Sequence, residues 1–425
     1  MFNFLKNMIS QKIIIIALCF ITIGFCQEKA YKVEIFSNPI DTDYWWLTKN
    51  NNGKYINNNI VDFKWKINNP FTNYQITLSN GFSKDQEILL GESFIKHNFS
   101  QKISFKAGKY YRDFSLYLND NLSSGSMLVS NNAQPLPKIG LTGSFSIKKM
   151  GDISFDWGVA HGWFKKNQYY TNPPLLHEKF IYLNIIRQDI HQLSIGFVHE
   201  AMWAGTTIDT GYNNNPGKQP DSFKDFLKVF ISADGPLREG EPHANALGSH
   251  IGIWDFIYTK KNDGRTLKLY YQHYFEDTSS LRFQNKTDGL WGIELTNYIP
   301  KINLLIEYLD TSHCCINPPY QRDIYYWNYQ YNDGWKYKDM IIGNPFVNSS
   351  EFIELTRLFH FGMSGSLGLN TFQVKASRKT NISDDIKFRA SIERNIYDNI
   401  NLTVFLVGDN NENGFGFVLS YLIKD

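Results

Sequence analysis

His199-Glu200 and His177-Glu178 each set a histidine beside a glutamate, the opening of the HExxH zinc-protease pattern. That pattern needs a second histidine one helical turn on, so that two imidazoles share a metal. Trp203 and Ile181 stand at those positions. Glu276, Asp277 and Asp288 are near enough in sequence to offer the paired carboxylates of a glycosidase, but strand-end acids serve charge networks far more often than catalysis. The string Asp409–Gly414 (DNNENG) begins like a calcium loop. Its twelfth position is Ser420 rather than the closing glutamate, so it reads as a hairpin loop. The chain has no GxSxG elbow, Walker loop or GxGxxG turn. No catalytic residue, metal site or cofactor is expected, and the chain reads as a non-enzyme.

Sugar recognition needs a different set: aromatic faces against pyranose C–H surfaces, with amides and charged groups at the edges for hydroxyls. The stretch from Tyr325 to Tyr337 carries five tyrosines, Trp327 and Trp335, interleaved with Asn328, Asn332 and Asp333. His273, Glu276 and Arg282 lie in or beside the neighbouring Tyr270–Phe283 segment. The candidate polysaccharide-binding residues are therefore Tyr325, Tyr326, Trp327, Asn328, Trp335, Arg282, His273 and Glu276. For any single ring, core packing or a membrane-interface aromatic girdle is the ordinary alternative.

The elements that would position these residues are strands. Leu267, Leu269, Tyr271, His273 and Phe275 share one face of an extended chain, and Lys268, Tyr270, Gln272 and Tyr274 share the other. Similar alternation marks Ile153-Phe155-Trp157-Val159, Ile386-Phe388-Ala390-Ile392 and Phe415-Phe417-Leu419-Tyr421-Ile423. Turn-rich strings such as Asn262–Gly264, Asp333–Gly334 and Asp409–Gly414 separate the strands. Strands of about ten residues divided by such turns are the signature of a transmembrane β-barrel. The spacing predicts an all-β fold: one large antiparallel barrel of about 16–18 strands, with a short helical excursion near residues 222–230. There Asp221 or Ser222 is a candidate N-cap, and Phe223, Phe226, Leu227 and Phe230 fall on one face. Residues 27–60 read as turn and strand.

The ends and the charge fix the compartment. Lys6 and Lys12 precede an apolar run from Ile13 to Phe25, which reads as a secretory signal peptide over residues 1–26. Residues 27–425 then form the barrel. Cleavage falls near Cys26–Gln27; a lipoprotein cut at Cys26 is the rival, poorly served by Phe25. Of four cysteines only the adjacent pair Cys314–Cys315 remains, which cannot staple a large fold. Without the signal, basic and acidic side chains balance, so a nucleic-acid partner is not expected. No later apolar run reaches the ~20 residues of a spanning helix, and a membrane-embedded mature chain must be a closed barrel.

Several strings resemble one known family. SSGSMLVSNNAQPLPKIGL (Ser123–Leu141), FVHEAMWAG (Phe197–Gly205), NALGSHIGIWDF (Asn245–Phe256) and YYQHYFEDTSSLRFQNKTDGLWGIEL (Tyr270–Leu295) look like the capsule-assembly Wzi family in its Bacteroidetes-type branch. YYWNYQYNDGWKYKDMIIGNPF (Tyr325–Phe346) does so too, and the resemblance runs from about residue 35 to the end. It implies an 18-stranded outer-membrane barrel with a small periplasmic helical bundle. It also implies a lectin-like role, holding capsular or related exopolysaccharide at the surface of a Gram-negative cell, with outer-membrane lipid around a monomer. The residues alone leave a porin-like channel for small solutes as the alternative. Apart from Ser222–Phe230 no convincing amphipathic helix is present, so the sequence leaves open whether the barrel is plugged.

Overall fold

The computed structural model describes residues 28–37, 44–53, 60–69, 74–83, 86–113, 119–147, 152–211, 216–237, 244–276, 278–313, 325–352, 354–381 and 385–424. The signal segment 1–26, Asp277 and Cys314–Cys315 lie outside the described residues.

Nineteen strands form one antiparallel sheet. It closes because the first strand, Glu28–Ser37, pairs with Ile60–Asn69 on one side and with the last strand, Asn413–Lys424, on the other. Gln86–Leu90 and Ser93–Asn98 are successive halves of one stave against Tyr74–Ser83. Among the described residues closure leaves no free edge in this sheet, the condition for a sheet in lipid. Connections at one end are short, such as 188–190, 263–264, 300–301 and 368–369, whereas 110–136, 164–174, 204–248, 276–288 and 311–356 are long and share the other end. Outer-membrane barrels keep short turns toward the periplasm and long loops outside, which orients the molecule. Asp263 and Gly264 both have positive φ, the conformation that a two-residue hairpin turn demands and that Asp-Gly supplies.

The alternation seen in sequence becomes two faces. Leu269, Ile293 and Ile306 stand side by side on adjacent strands, and all three are exposed on the outer wall. One residue along, Tyr270, Gly292, Glu307, His360 and Ser377 form the parallel lumenal row. Phe415, Phe417 and Tyr421 of the last strand also face outward. The core lies in the lumen, where wall residues such as Tyr182, Val198 and Tyr274 pack against Met127, Tyr326 and Phe346 from the long loops.

The lumenal row fixes one glycine. The Tyr270 hydroxyl donates to Glu307 at 2.6 Å, and Gly292 stands on the strand between them. A Cβ at Gly292 would sit inside the Tyr270 ring. Gly292→Ala is therefore expected to displace that ring, break its hydrogen bond and cost about 2–3 kcal/mol. The check is a lowered urea midpoint for the refolded protein in detergent.

Helix is scarce, as the sequence indicates: the described helices are Trp45–Thr48, Phe223–Phe230 and Thr278–Leu281. Trp45–Thr48 corrects the turn-and-strand reading of that region. Its residues Trp46 and Leu47 are buried, and a tertiary pocket, not local propensity, sets their conformation. Phe223–Phe230 is the expected excursion. Ser222 caps it, accepting from the Asp225 amide while the Asp225 carboxylate accepts from the Ser222 amide.

Candidate functional site

Three outer segments fill the lumen, and polar side chains of the wall hold them there. The first is the serine-rich stretch after Asn119. Glu307 accepts from Ser123 Oγ at 2.6 Å and from the Ser124 amide at 2.7 Å. Gln272 accepts from Ser126 Oγ at 3.1 Å and from the Met127 amide at 2.9 Å. Asn119 donates to Glu294 at 3.1 Å, and His360 binds the Leu122 carbonyl at 2.6 Å. Small residues with hydroxyls suit this task, because the loop backbone must approach the wall closely and pair its amides there.

The second segment, 325–352, packs on the first. Tyr326 donates to the Met127 carbonyl, Trp335 Nε1 to the Leu128 carbonyl at 2.8 Å, and Asn344 to the Gly125 carbonyl at 2.6 Å. The third, around Trp45–Gly53, is tied in by Asn50 donating to the Ser124 carbonyl at 2.7 Å and by Trp45 packing on Phe346 at 4.4 Å. Largely irregular segments with one single-turn helix and one short strand pair, not a helical bundle, fill the lumen among the described residues.

A buried ion pair sits where plug meets wall. Lys138 Nζ lies 2.8 Å from Glu178 and 2.7 Å from the Tyr111 carbonyl. Glu200 is directly across the strand pair from Glu178, is 0% exposed, and neither of its carboxylate oxygens has a hydrogen-bond partner. Both glutamates line a cavity of about 10 Å³ together with Tyr111, Ser130 and Gln134.

The residues singled out by sequence divide into three groups. Tyr325, Tyr326, Trp327 and Trp335 are buried, with Tyr326 and Trp335 in the plug core rather than at a membrane girdle. Trp327 Nε1 donates to the Asn332 carbonyl at 3.0 Å, and the half-buried Asn328 accepts from the Gln330 amide. His273 is on the outer wall, stacked under Phe283 at 4.0 Å and hydrogen-bonded to the Ser280 carbonyl at 2.9 Å. Glu276 accepts from Tyr274 at 3.1 Å, and Arg282 is exposed nearby. Of these three, Glu276 meets the 325–352 segment through Tyr274, which packs on Tyr325 at 4.5 Å and on Tyr326 at 5.7 Å.

Asp288 does not open toward solvent. It accepts from Tyr325 at 2.8 Å and from the His313 amide at 2.9 Å, with His313 Nδ1 at 3.2 Å. Asp310 joins the cluster, its ligand atoms and those of Asp288 and His313 lying within 4.8 Å of one another. It takes Tyr308 and the Ser312 amide at 2.8 Å each, with Arg357 3.6 Å away. Protein donors thus already satisfy these carboxylates. The Asp409 loop is a hairpin turn whose carboxylate accepts from the Asn411 and Glu412 amides, and these hold it below the usual range.

Burial pushes Asp288 up from 3.8 to about 6, against the pull of its His313 and Tyr325 donors. Burial likewise raises Asp333 to about 6, against Lys336 and the Asn167 amide. An acid whose folded-state pKa is raised binds its proton more tightly when folded, so stability falls as pH rises through the window between the two values. The unfolding midpoint is expected to decline from about pH 4 to about pH 6 and then level off, with Asp288→Asn flattening part of the slope. Denaturant titrations in detergent across this range check it.

Sequence reasoning missed Tyr329. Its ring is 47% exposed and meets Trp327 edge-on at 4.8 Å. Around it Asn332 accepts from Thr210, and Asp333 accepts from Asn167. Three outer loops thus meet in one buried polar network beneath an open aromatic face. Nothing in the sequence separates Tyr329 from the four tyrosines beside it.

A closed barrel with short turns at one end, long loops at the other and an apolar outer wall is an outer-membrane β-barrel. The family described as Capsule assembly protein Wzi matches residues 46–413, and the chain belongs to that family. It is a capsule-assembly protein of the Gram-negative outer membrane. No curated protein matches the chain. Similar solved structures include Pseudomonas aeruginosa OccK5 (OpdH), at 10% identity over 94% of this chain and 98% of that one, with a TM-score of 0.44. P. aeruginosa OccK3 (OpdO) is 11% identical over 93% and 95%, at 0.40. Acinetobacter baumannii OccAB4 is 9% identical over 94% and 99%, also at 0.40.

Proposed function

We propose that the protein is a lectin-like retention element that binds capsular or related exopolysaccharide at its outer surface and performs no turnover. The observation that carries this reading is the exposed ring of Tyr329, set against Trp327 beside the half-buried Asn328 at the extracellular end of a loop-filled barrel, with the buried Asn332 and Asp333 bracing its loop. An exposed aromatic face with an amide beside it fits a pyranose. A filled lumen favours a binder over a solute channel. The pairing of Asp288 with Tyr325 and His313 supports a non-enzymatic role, since a glycosidase needs two carboxyls open to one bond. The resemblance of the strings quoted above supports a Bacteroidetes-type branch, and in this reading the protein acts as a monomer in outer-membrane lipid. The signal peptide over 1–26 delivers it there.

Of the residues singled out by sequence, Trp327 and Asn328 serve the patch, and Tyr325, Tyr326 and Trp335 support it from beneath. Binding along a repeating polymer is multivalent, so weak contacts add up to retention. Deletion of the gene is expected to move polysaccharide from the cell-bound to the released fraction. Tyr329→Ala is expected to reproduce part of that shift with the barrel still folded, its stacking contact being worth about 1 kcal/mol per site. An unchanged partition in the deletion strain would remove the retention role, and an unchanged partition in Tyr329→Ala alone would move the site elsewhere on the cap.

A further inference from the structure

The helix Phe223–Phe230 lies outside the barrel, not in it. Lumenal positions of the adjacent strands are even-numbered here: Phe180, Tyr182, Val198 and Met202 belong to the lumenal core. His161, His177 and Trp203 therefore point outward, and Phe226 packs on all three, at ring distances of 6.0, 5.5 and 5.5 Å. Val229 packs with Ala201, Trp203 and Leu247 in a cluster separate from the lumenal core. The carbonyl of Phe230 accepts from the outward-facing Lys179. The helix thus clamps on the upper outer wall and covers His177, His199 and His250, imidazoles that would be costly against lipid.

The remaining faces of the helix are unequal. At 100° per residue, Phe226 and Val229 fall on the wall side, Phe223, Leu227 and Phe230 on the next arc, and Lys224 and Lys228 opposite. Phe223 is 75% exposed, and Ile231, just past the helix, is 70% exposed. This apolar arc continues the established lipid-facing belt. Ile181, the next outward position below Lys179 and about 7 Å along the strand, is 46% exposed, and Trp163, opposite Leu175 at the outer end of the adjacent strand, is 41% exposed. A helix with separate wall, apolar and cationic faces, set at the top of the belt, has the form of an interfacial helix.

We propose that Phe223–Phe230 is an anchor in the outer leaflet. Phe223, Leu227, Phe230 and Ile231 enter the boundary between acyl chains and headgroups, and Lys224 faces the anionic headgroups above. The occupant is the outer-leaflet lipid itself. This inference is independent of the polysaccharide reading. It makes the loop 204–248 a strap that fixes the extracellular cap to the plane of the membrane, since Gln219 of the same loop is tied back to the Gly205 carbonyl beside the plug.

Photocrosslinking on intact cells tests it, with Phe223→p-benzoylphenylalanine compared against the same substitution at the belt position Ile181 and at the solvent-exposed Tyr329. A lipid adduct at Phe223 within about threefold of the Ile181 yield, and about tenfold above that at Tyr329, is the expected result. Labelling at Ile181 without a lipid adduct at Phe223 overturns the proposal, as does a Phe223 adduct confined to a second copy of the chain or to polysaccharide. Phe223→Asp with Leu227→Asp supplies a second readout. The purified variant in liposomes is expected to lose protection of the 223–231 amides from hydrogen exchange by about tenfold, with the barrel strands unchanged. Equal protection in detergent and liposomes, for wild type and variant alike, also overturns it.

Discussion

Glu307→Ala is expected to turn a closed barrel into a conducting one. The Glu307 carboxylate is buried and takes three donors at once: Ser123 Oγ, the Ser124 amide and the Tyr270 hydroxyl, all within 2.7 Å. Hydrogen bonds to a charged acceptor contribute about 1.5–3 kcal/mol each, and bonds sharing one acceptor do not add fully. Losing the acceptor leaves two of the plug's donors and one wall hydroxyl facing an apolar gap, for a total of about 3–5 kcal/mol. Most of that cost falls on the contact between wall and plug, because the strands keep their backbone ladders. The wall contacts left to the segment after Asn119 are then those from Gln272, Glu294, His360 and Gln373. The loop 325–352, which rests on that segment, loses its floor. In planar bilayers the wild type should show no sustained large-pore current, and Glu307→Ala should show frequent openings. Glu307→Gln, which retains the acceptor oxygen without the charge, should fall between them. A wild type that already conducts as a wide pore would return the channel reading to first place. A silent Glu307→Ala would show that Gln272 and the second loop hold the plug without it.

The barrel was legible because lipid imposes a period. The outward row of Leu269, Ile293 and Ile306 must be apolar, its lumenal neighbours need not be, and the two-residue alternation survives in the sequence. Asp-Gly at 263–264 and the serine cap at 222 are local chemistry, readable without knowing the partner. The plug was not legible for the opposite reason. Tyr326, Trp335 and Phe346 are buried by contacts with Met127, Leu128 and Trp45, some 200 residues or more away in the chain, and an irregular segment carries no period that says which rings turn inward. The wall acceptors Glu307 and Gln272 looked like ordinary polar members of an alternating strand. Their role depends on a serine loop that reads as linker until it is seen in the lumen. The same long-range packing leaves Tyr329 exposed and Tyr331 buried, though they are chemically alike.

Lys138→Met should be as damaging to the wall as the loss of Glu307. The ammonium is 2% exposed and lies 2.8 Å from Glu178, 2.7 Å from the Tyr111 carbonyl and 4.6 Å from the centre of the Tyr110 ring. Methionine keeps the volume of the stem, so packing changes little and the loss is electrostatic. Without the lysine, Glu178 and the unpartnered Glu200 face each other across adjacent strands, about 5 Å apart at Cα, with no cation between them. Removing one member of a buried pair costs about 3–5 kcal/mol because the partner charge remains in a medium that cannot solvate it. The argument has two consequences that a simple packing role would not produce. Adding Glu178→Gln to Lys138→Met should recover most of the loss, since both members of the ion pair then leave together. Glu200→Gln alone should be neutral or stabilising, because its carboxylate has no donor to lose and its removal relieves the like charge on Glu178. Denaturant midpoints for Lys138→Met, Glu178→Gln and their double variant give the coupling directly. A double variant no better than Lys138→Met would mean that Lys138 acts through its contact with Tyr111 and the plug, not through Glu178.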